Sequence, residues 1–299
     1  MADGFVIETA DLRKTYDGID ALRGLTVSVP TGSIYGFLGR TGAGKTTTIK
    51  ILLGMARPTA GRASVFGLPA HSPTASVDIR RRTGFVGDEK GLYDAMTVRG
   101  MIRHTASFYP QWSRELEEQY LRRFDLGAER GIKTLSRGMR TKLALLLALC
   151  RGADLLVLDE PTTGLDPAAT EDVLQALVGH AADHGTTVFF SSHQLTDVEQ
   201  IADHVAIIDR GRTAVTGALD DLRQNYRRIQ LVFDGDAPAY TFQVKGVERV
   251  KRSGRVMTVL SSAGIDGVLG EARQLNPVST DSAPVTLKDI FLDTVAVED

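Results

Sequence analysis

The residues Gly39-Arg40-Thr41-Gly42-Ala43-Gly44-Lys45-Thr46-Thr47 have the types and spacing to hold a phosphate chain. They match G-x-x-x-x-G-K-[ST], with an apolar run, Ser33 to Leu38, before them and a helix-like run, Thr48 to Leu53, after them. Glycines let the backbone curl so that successive N–H groups point inward at phosphate oxygens, and a helix starting near Lys45 adds the positive end of its dipole at the same spot. The expectation is a phosphate-binding loop in which Lys45 reaches the β- and γ-phosphates and the Thr46 hydroxyl ligates Mg2+.

Further residues have types that would complement such a loop. Leu155-Leu156-Val157-Leu158 runs into Asp159-Glu160, a buried strand ending in two acids. Carboxylates at the C-terminal end of a parallel strand lie where open α/β sheets bind ligands. Asp159 suits water-mediated Mg2+ coordination and Glu160 suits polarising an attacking water. His193 ends the next apolar strand, Thr186 to Ser192, and is placed either as a structural histidine or to contact a γ-phosphate. Ser136 precedes an amphipathic pattern in which Leu143, Leu146, Leu147 and Cys150 recur at helical spacing. It is the natural N-cap, and its hydroxyl with nearby N–H groups could form a second anion-binding surface. Tyr16 has two readings, a packed surface tyrosine or a ring stacked on adenine.

The elements that must position these residues can be outlined from pattern. Val6 to Thr9 and Leu25 to Val29 read as short strands about a turn at Tyr16-Asp17-Gly18. Ala63 to Gly67 and Thr83 to Val86 add two more. Thr97 to Leu126 is helical with one break at Phe108 to Trp112, where Trp112 is a packing residue or a partner contact. Ile79-Arg80-Arg81-Arg82 reads as a solvated helix face. Gly164-Leu165-Asp166-Pro167 is a turn before a helix at Val173 to His180, and Val205 to Asp209 and Thr213 to Val215 suggest a closing hairpin. From about Leu219 the pattern changes to a small α+β domain, with strands at Ile229 to Phe233, Tyr240 to Phe242 and Val256 to Leu260 and helices near Val268 and at Leu287 to Leu292.

Composition excludes several classes. Of 299 residues, 35 are basic and 37 acidic, a formal charge of -2, so nothing advertises a nucleic-acid partner. The single cysteine, Cys150, forms no internal disulfide and points to a reducing cytosolic compartment. Met1-Ala2-Asp3-Gly4 shows no secretory leader, and the most apolar run, Leu143 to Cys150, falls far short of the roughly 20 residues of a spanning helix. If a membrane is involved, another chain crosses it.

Taken together and in this order, the segments from Phe5 to Gly217 resemble the ATP-binding subunit of an ATP-binding cassette (ABC) transporter, of the bacterial single-cassette type with a separate permease, many of them exporters. The resemblance implies an α/β fold, a P-loop NTPase of ABC type with a RecA-like core, an antiparallel β subdomain and a helical subdomain at about residues 88–150. It places an ABC domain at 1–218 and a small C-terminal α+β domain at 219–299. Leu135-Ser136-Arg137-Gly138-Met139 stands where that family has LSGGQ, Gly164-Leu165-Asp166 matches the D-loop, His193 the switch histidine and Tyr16 the adenine-stacking aromatic. The implied cycle binds ATP and Mg2+ between two cassettes closed head to tail, with Ser136 and Gly138 of one facing the γ-phosphate held by Lys45 of the other. Glu160 then activates water while Lys45 and His193 stabilise charge on the transferring phosphoryl group. The resemblance implies that the cassettes sit peripherally at the cytoplasmic face of the cell membrane and pass the motion to an integral-membrane permease. Two positions depart from the pattern. Asp88 replaces the Q-loop glutamine, where it can still ligate Mg2+, and Arg137 replaces the first signature glycine; their charges either offset each other across the closed dimer or point to solvent. The rival reading is a soluble ABC-type clamp outside transport, but such chains usually carry two cassettes or long coiled-coil or zinc insertions, and neither is seen.

Overall fold

The computed structural model describes residues 4–295, so the leader reading for Met1 to Asp3 lies outside it. In chain order the elements begin with β1 (Phe5–Tyr16), β2 (Ile19–Pro30), β3 (Ile34–Gly39), α1 (Lys45–Leu52), β4 (Ala60–Val65), β5 (Leu68–Pro69), α2 (Pro73–Arg82) and β6 (Thr83–Val86). Next come α3 (Val98–Ala106), α4 (Arg114–Arg123), a short 3-10 turn (Ile132–Thr134), α5 (Arg137–Leu149), β7 (Leu155–Asp159), α6 (Pro167–His184), β8 (Thr187–Ser192), α7 (Leu195–Ile201), β9 (His204–Asp209) and β10 (Arg212–Ala218). The remainder is α8 (Leu219–Asn225), β11 (Arg227–Val232), β12 (Val247–Ser253), β13 (Val256–Ser261), α9 (Ile265–Gln274), β14 (Ser279–Pro284) and α10 (Leu287–Val295). The chain divides into two compact units between Thr216 and Gly217.

In the first unit, six strands form a sheet in the order β10-β9-β3-β8-β7-β6, and the pairs β3/β8, β3/β9, β7/β8 and β6/β7 are parallel. Every residue of β3, β7 and β8 is buried, as expected for strands covered on both faces. Their parallel register places the ends of these strands, Gly39, Asp159 and Ser192, along one edge of the sheet. A second, four-stranded sheet runs β2-β1-β4-β5. Its apolar face (Ile7, Leu12, Leu25, Val27, Val29) shares one core with α1 (Ile49, Ile51, Leu52) and with Phe37, Val157 and Phe189 of the parallel sheet. This shared core fixes the helix that follows the phosphate loop.

Local chemistry sets the boundaries, and in places the structure extends the sequence reading. The hairpin strands β1 and β2 are 12 residues each rather than two short runs, because alternation continues through polar positions to the Asp17-Gly18 turn. Likewise α6 starts at Pro167, since Asp166 accepts the Ala169 N–H at 2.9 Å, and ends only at Gly185, which takes φ 63°. The helical block breaks between α3 and α4 as read, and Trp112 there donates its indole N–H to Glu117 at 2.8 Å. Of the arginine run, Arg81 is solvated, whereas Arg80 donates to the Leu53 carbonyl at 3.0 Å and Arg82 pairs with Asp154 at 2.7 Å.

The second unit holds a four-stranded sheet, β12-β13-β11-β14, packed through Ile229, Leu231, Met257 and Val259 onto Val268 and Ala272 of α9. The strand expected at Tyr240 to Phe242 is absent, and Val247–Ser253 is the strand instead. Tyr240 and Phe242 both turn toward the core, and the Gln243 N–H donates to the Glu271 carboxylate at 3.0 Å rather than to a neighbouring strand. Among the described residues no helix is long and apolar enough to cross a membrane.

Candidate functional site

The turn from β3 to α1 is built for close approach to a ligand. Gly44 takes φ 106°, and a Cβ there would lie 2.8 Å from the Ala21 carbonyl oxygen, so only glycine fits. Ala43 is buried in the core and anchors the loop from below. A cleft of about 330 Å³ opens above it. Thr41, Gly42, Gly44, Lys45, Thr46 and Thr47 line it from the loop; Ala21, Asp88, Glu160, Thr163 and His193 line it from elsewhere.

The Lys45 ammonium sits at the root of this cleft, nearly buried, donating to the carbonyls of Gly39 at 2.8 Å and Arg40 at 3.3 Å. It also pairs with Glu160 Oε1 at 3.0 Å. The other Glu160 oxygen meets His193 Nδ1 at 2.7 Å and accepts the Thr163 hydroxyl at 2.9 Å. Burial pushes the Glu160 carboxyl up, but the hydrogen bonds from Lys45 and His193, the Lys45 charge and the Thr163 hydroxyl more than offset it and hold the group below its ordinary range. Glu160 is therefore ionised at neutral pH. Its backbone is left-handed, φ 51°, a conformation that costs a side-chain-bearing residue about 1 kcal/mol. That twist breaks the strand alternation after Asp159 and lets both acids serve the same end of the sheet.

Ser191 secures the two acids together. Its hydroxyl donates to Asp159 Oδ1 at 2.7 Å and accepts the Glu160 backbone N–H at 3.0 Å. Asp159 is thus a buried, oriented carboxylate at the end of β7. The Thr46 hydroxyl, exposed in the cleft, has no side-chain hydrogen bond among the described residues. Hydroxyl, carboxylate and phosphate oxygens are the hard donors that Mg2+ takes, and Thr46, Asp159 and Asp88 supply the first two kinds. Among the described residues no group of three or more His, Cys, Asp or Glu is gathered so as to hold a metal ion.

Several of the expected residues lie outside the cleft. Gly39 and Arg40 contribute carbonyls to Lys45 rather than a lining surface. The Tyr16 ring is exposed and carries the Lys14 ammonium 4.6 Å from its centroid. Ser136 caps α5, accepting the Met139 N–H at 3.2 Å, and neither it nor Gly138 lines the cleft of its own chain. Arg137 leans over the backbone of Gly164, where a Cβ would come within 2.6 Å of its guanidinium. Sequence reasoning did not single out Thr163 or Ser191 as site residues. Both are hydroxyls flanking the acid and histidine positions; Ser191 could have been found as a hydroxyl at the end of an otherwise apolar strand, whereas Thr163 lies in the loop after β7.

Comparison with known proteins agrees with this geometry. A family model described as ABC transporter matches residues 22–163. The chain is 38% identical over 228 residues to the daunorubicin/doxorubicin resistance ATP-binding protein DrrA of Streptomyces peucetius, covering 73% of this chain and 67% of that one. It is 32% identical over 313 residues to the daunorubicin resistance ATP-binding protein DrrA3 of Streptomyces coeruleorubidus, covering 99% and 95%. Among solved structures, an ATP-binding subunit of an ABC transporter superposes with a TM-score of 0.65 at 29% identity, covering 73% of this chain and 92% of that one.

Proposed function

Since the chain belongs to the ATP-binding proteins of ABC transporters, which are ATPases coupled to transport, we propose that two copies close on MgATP to power a separate membrane permease, in the direction of export. The observation that carries the ATPase part is the Glu160 carboxylate held between Lys45 at 3.0 Å and His193 at 2.7 Å in a cleft walled by the phosphate loop. Loop N–H groups and Lys45 bind the phosphates, so that Lys45 exchanges its Glu160 partner for phosphate oxygen. Glu160, released on that side and still held by His193 and Thr163, orients the attacking water. His193 and Lys45 donate to the oxygens that gain charge. Thr46 and Asp159, with Asp88 nearby, would hold Mg2+, whose charge would neutralise the phosphate oxygens.

Pairing is supported by what one copy lacks. Ser136 and Gly138 stand at the exposed start of α5, outside their own cleft, so a second copy is the natural source of a nucleotide for them. Export is supported by the names of the two drug-resistance relatives, and a permease by the lack of a spanning helix among the described residues. The test is Glu160→Gln: it should retain ATP, elute as a dimer with ATP and Mg2+, and lose nearly all turnover. A variant that hydrolyses at the native rate, or stays monomeric with ATP and its permease present, overturns the reading.

A further inference from the structure

The segments that carry Glu160 and His193 are joined a second time, away from the cleft. Thr162, two residues past Glu160, donates its hydroxyl to Asp197 Oδ2, four residues past His193. Both side chains are almost fully buried, Thr162 at 2% and Asp197 at 3% exposure. Asp197 Oδ1 also meets the Thr196 hydroxyl at 3.5 Å. A buried acid facing hydroxyls is a costly choice where an apolar pair would pack, and what it supplies instead is one fixed geometry.

The seat of Asp197 explains what that geometry is fixed to. Its neighbour Val198 occupies the space left by the missing side chain of Gly36 in β3; a Cβ there would lie 2.5 Å from Val198 Cγ1. Helix α7 is therefore keyed into the strand that leads to the phosphate loop. Through Asp197, the same helix reaches the loop that follows the β7 acids. The segments 160–163 and 193–197 thus form a closed frame, pinned by Glu160–His193 at the cleft and by Thr162–Asp197 beneath it.

We propose that Asp197 is a positioning residue for ATP hydrolysis, holding Thr162 so that Glu160 and His193 keep their mutual distance and aim as Lys45 changes partner. This rests on the reading of Glu160 and His193 as the working pair. Burial pushes the Asp197 carboxyl up and the Glu160 charge adds to it, with the Thr162 and Thr196 hydroxyls and the His193 charge opposing.

The experiment measures steady-state hydrolysis of MgATP by the full chain and its variants, with binding of a non-hydrolysable ATP analogue alongside. Asp197→Ala should lower kcat by about 10- to 100-fold, the scale of a misplaced catalytic group, with KM and analogue affinity changed by less than about threefold. Asp197→Asn, whose amide oxygen still accepts the Thr162 hydroxyl, should return kcat to within about threefold of the native chain. Thr162→Val should reproduce the Asp197→Ala loss, and the double variant should lose no more than either alone. Native kcat in Asp197→Ala, an equal loss in Asp197→Asn, or losses that multiply in the double variant would each overturn the proposal. Should Asp197→Ala fail to fold, the other two single variants decide it: a low kcat in Asp197→Asn or a native one in Thr162→Val sinks it. Glu160→Gln in the same assay separates the two levels, because native turnover there removes the reading of the pair itself.

Discussion

At the scale of single residues, the cleft is organised by one carboxylate with three donors. Replacing Glu160 by glutamine removes the charge that faces Lys45, and an uncompensated, nearly buried ammonium remains. Without nucleotide this variant should be less stable by on the order of 2 kcal/mol, read as a lower thermal midpoint, and added ATP should restore the loss by giving Lys45 a new anion. Turnover should fall by at least about 100-fold, the usual contribution of a positioned general base, with ATP binding retained. The sign of the acid response follows from the depressed Glu160 pKa. Its contribution to stability is present above the unfolded carboxylate value and fades as pH falls through the lower folded one. Thr163 is the quieter partner: Thr163→Ala should leave ATP bound and lower kcat, checked by equilibrium binding beside single-turnover hydrolysis.

At the scale of elements, the parts that sequence made legible are those where one residue type has one use. The glycines and Lys45 of the phosphate loop, the apolar run into Asp159-Glu160 and the Ser136 cap all sit as their patterns require. What stayed hidden depends on long-range pairing. The hairpin strands looked short because their outward faces are polar, and the Tyr240 to Phe242 run looked like a strand although the next residue, Gln243, gives its backbone N–H to a glutamate on α9. The hydroxyls of Thr162 and Ser191 join residues about 30 positions apart along the chain, beyond the reach of any local pattern. The keyed contact between α7 and β3 yields a test at this scale. Gly36→Ala puts a methyl into the place of Val198 and should destabilise by about 1–3 kcal/mol, measured by denaturant unfolding, with Val198→Ala in the same chain recovering part of the loss.

At the scale of the whole molecule, every cleft residue belongs to the first compact unit, so a chain ending at Ala218 should bind ATP with an affinity within about threefold of the full chain, checked by calorimetry. Stability should also respond to mild acid through a residue far from the chemistry. His180 is buried against Tyr120, with the His184 ring 4.6 Å away; burial first and the His184 charge second lower its pKa to about 4. An unfolded histidine takes a proton near pH 6.5, so stability is full above that value and declines as pH falls toward the folded one. The loss should total about 3 kcal/mol between neutrality and pH 4, and a His180→Phe variant should flatten that part of the midpoint-versus-pH curve. The Lys45–Glu160 contact reaches furthest of all. A tethered anion already stands in the socket, so an arriving ligand must bring enough negative charge at that point to displace it; adenosine brings none and AMP brings too little so far along the chain. On the proposed reading, adenosine and AMP should therefore bind far more weakly than ATP, a difference that calorimetry on the native chain would read and that Glu160→Gln should narrow.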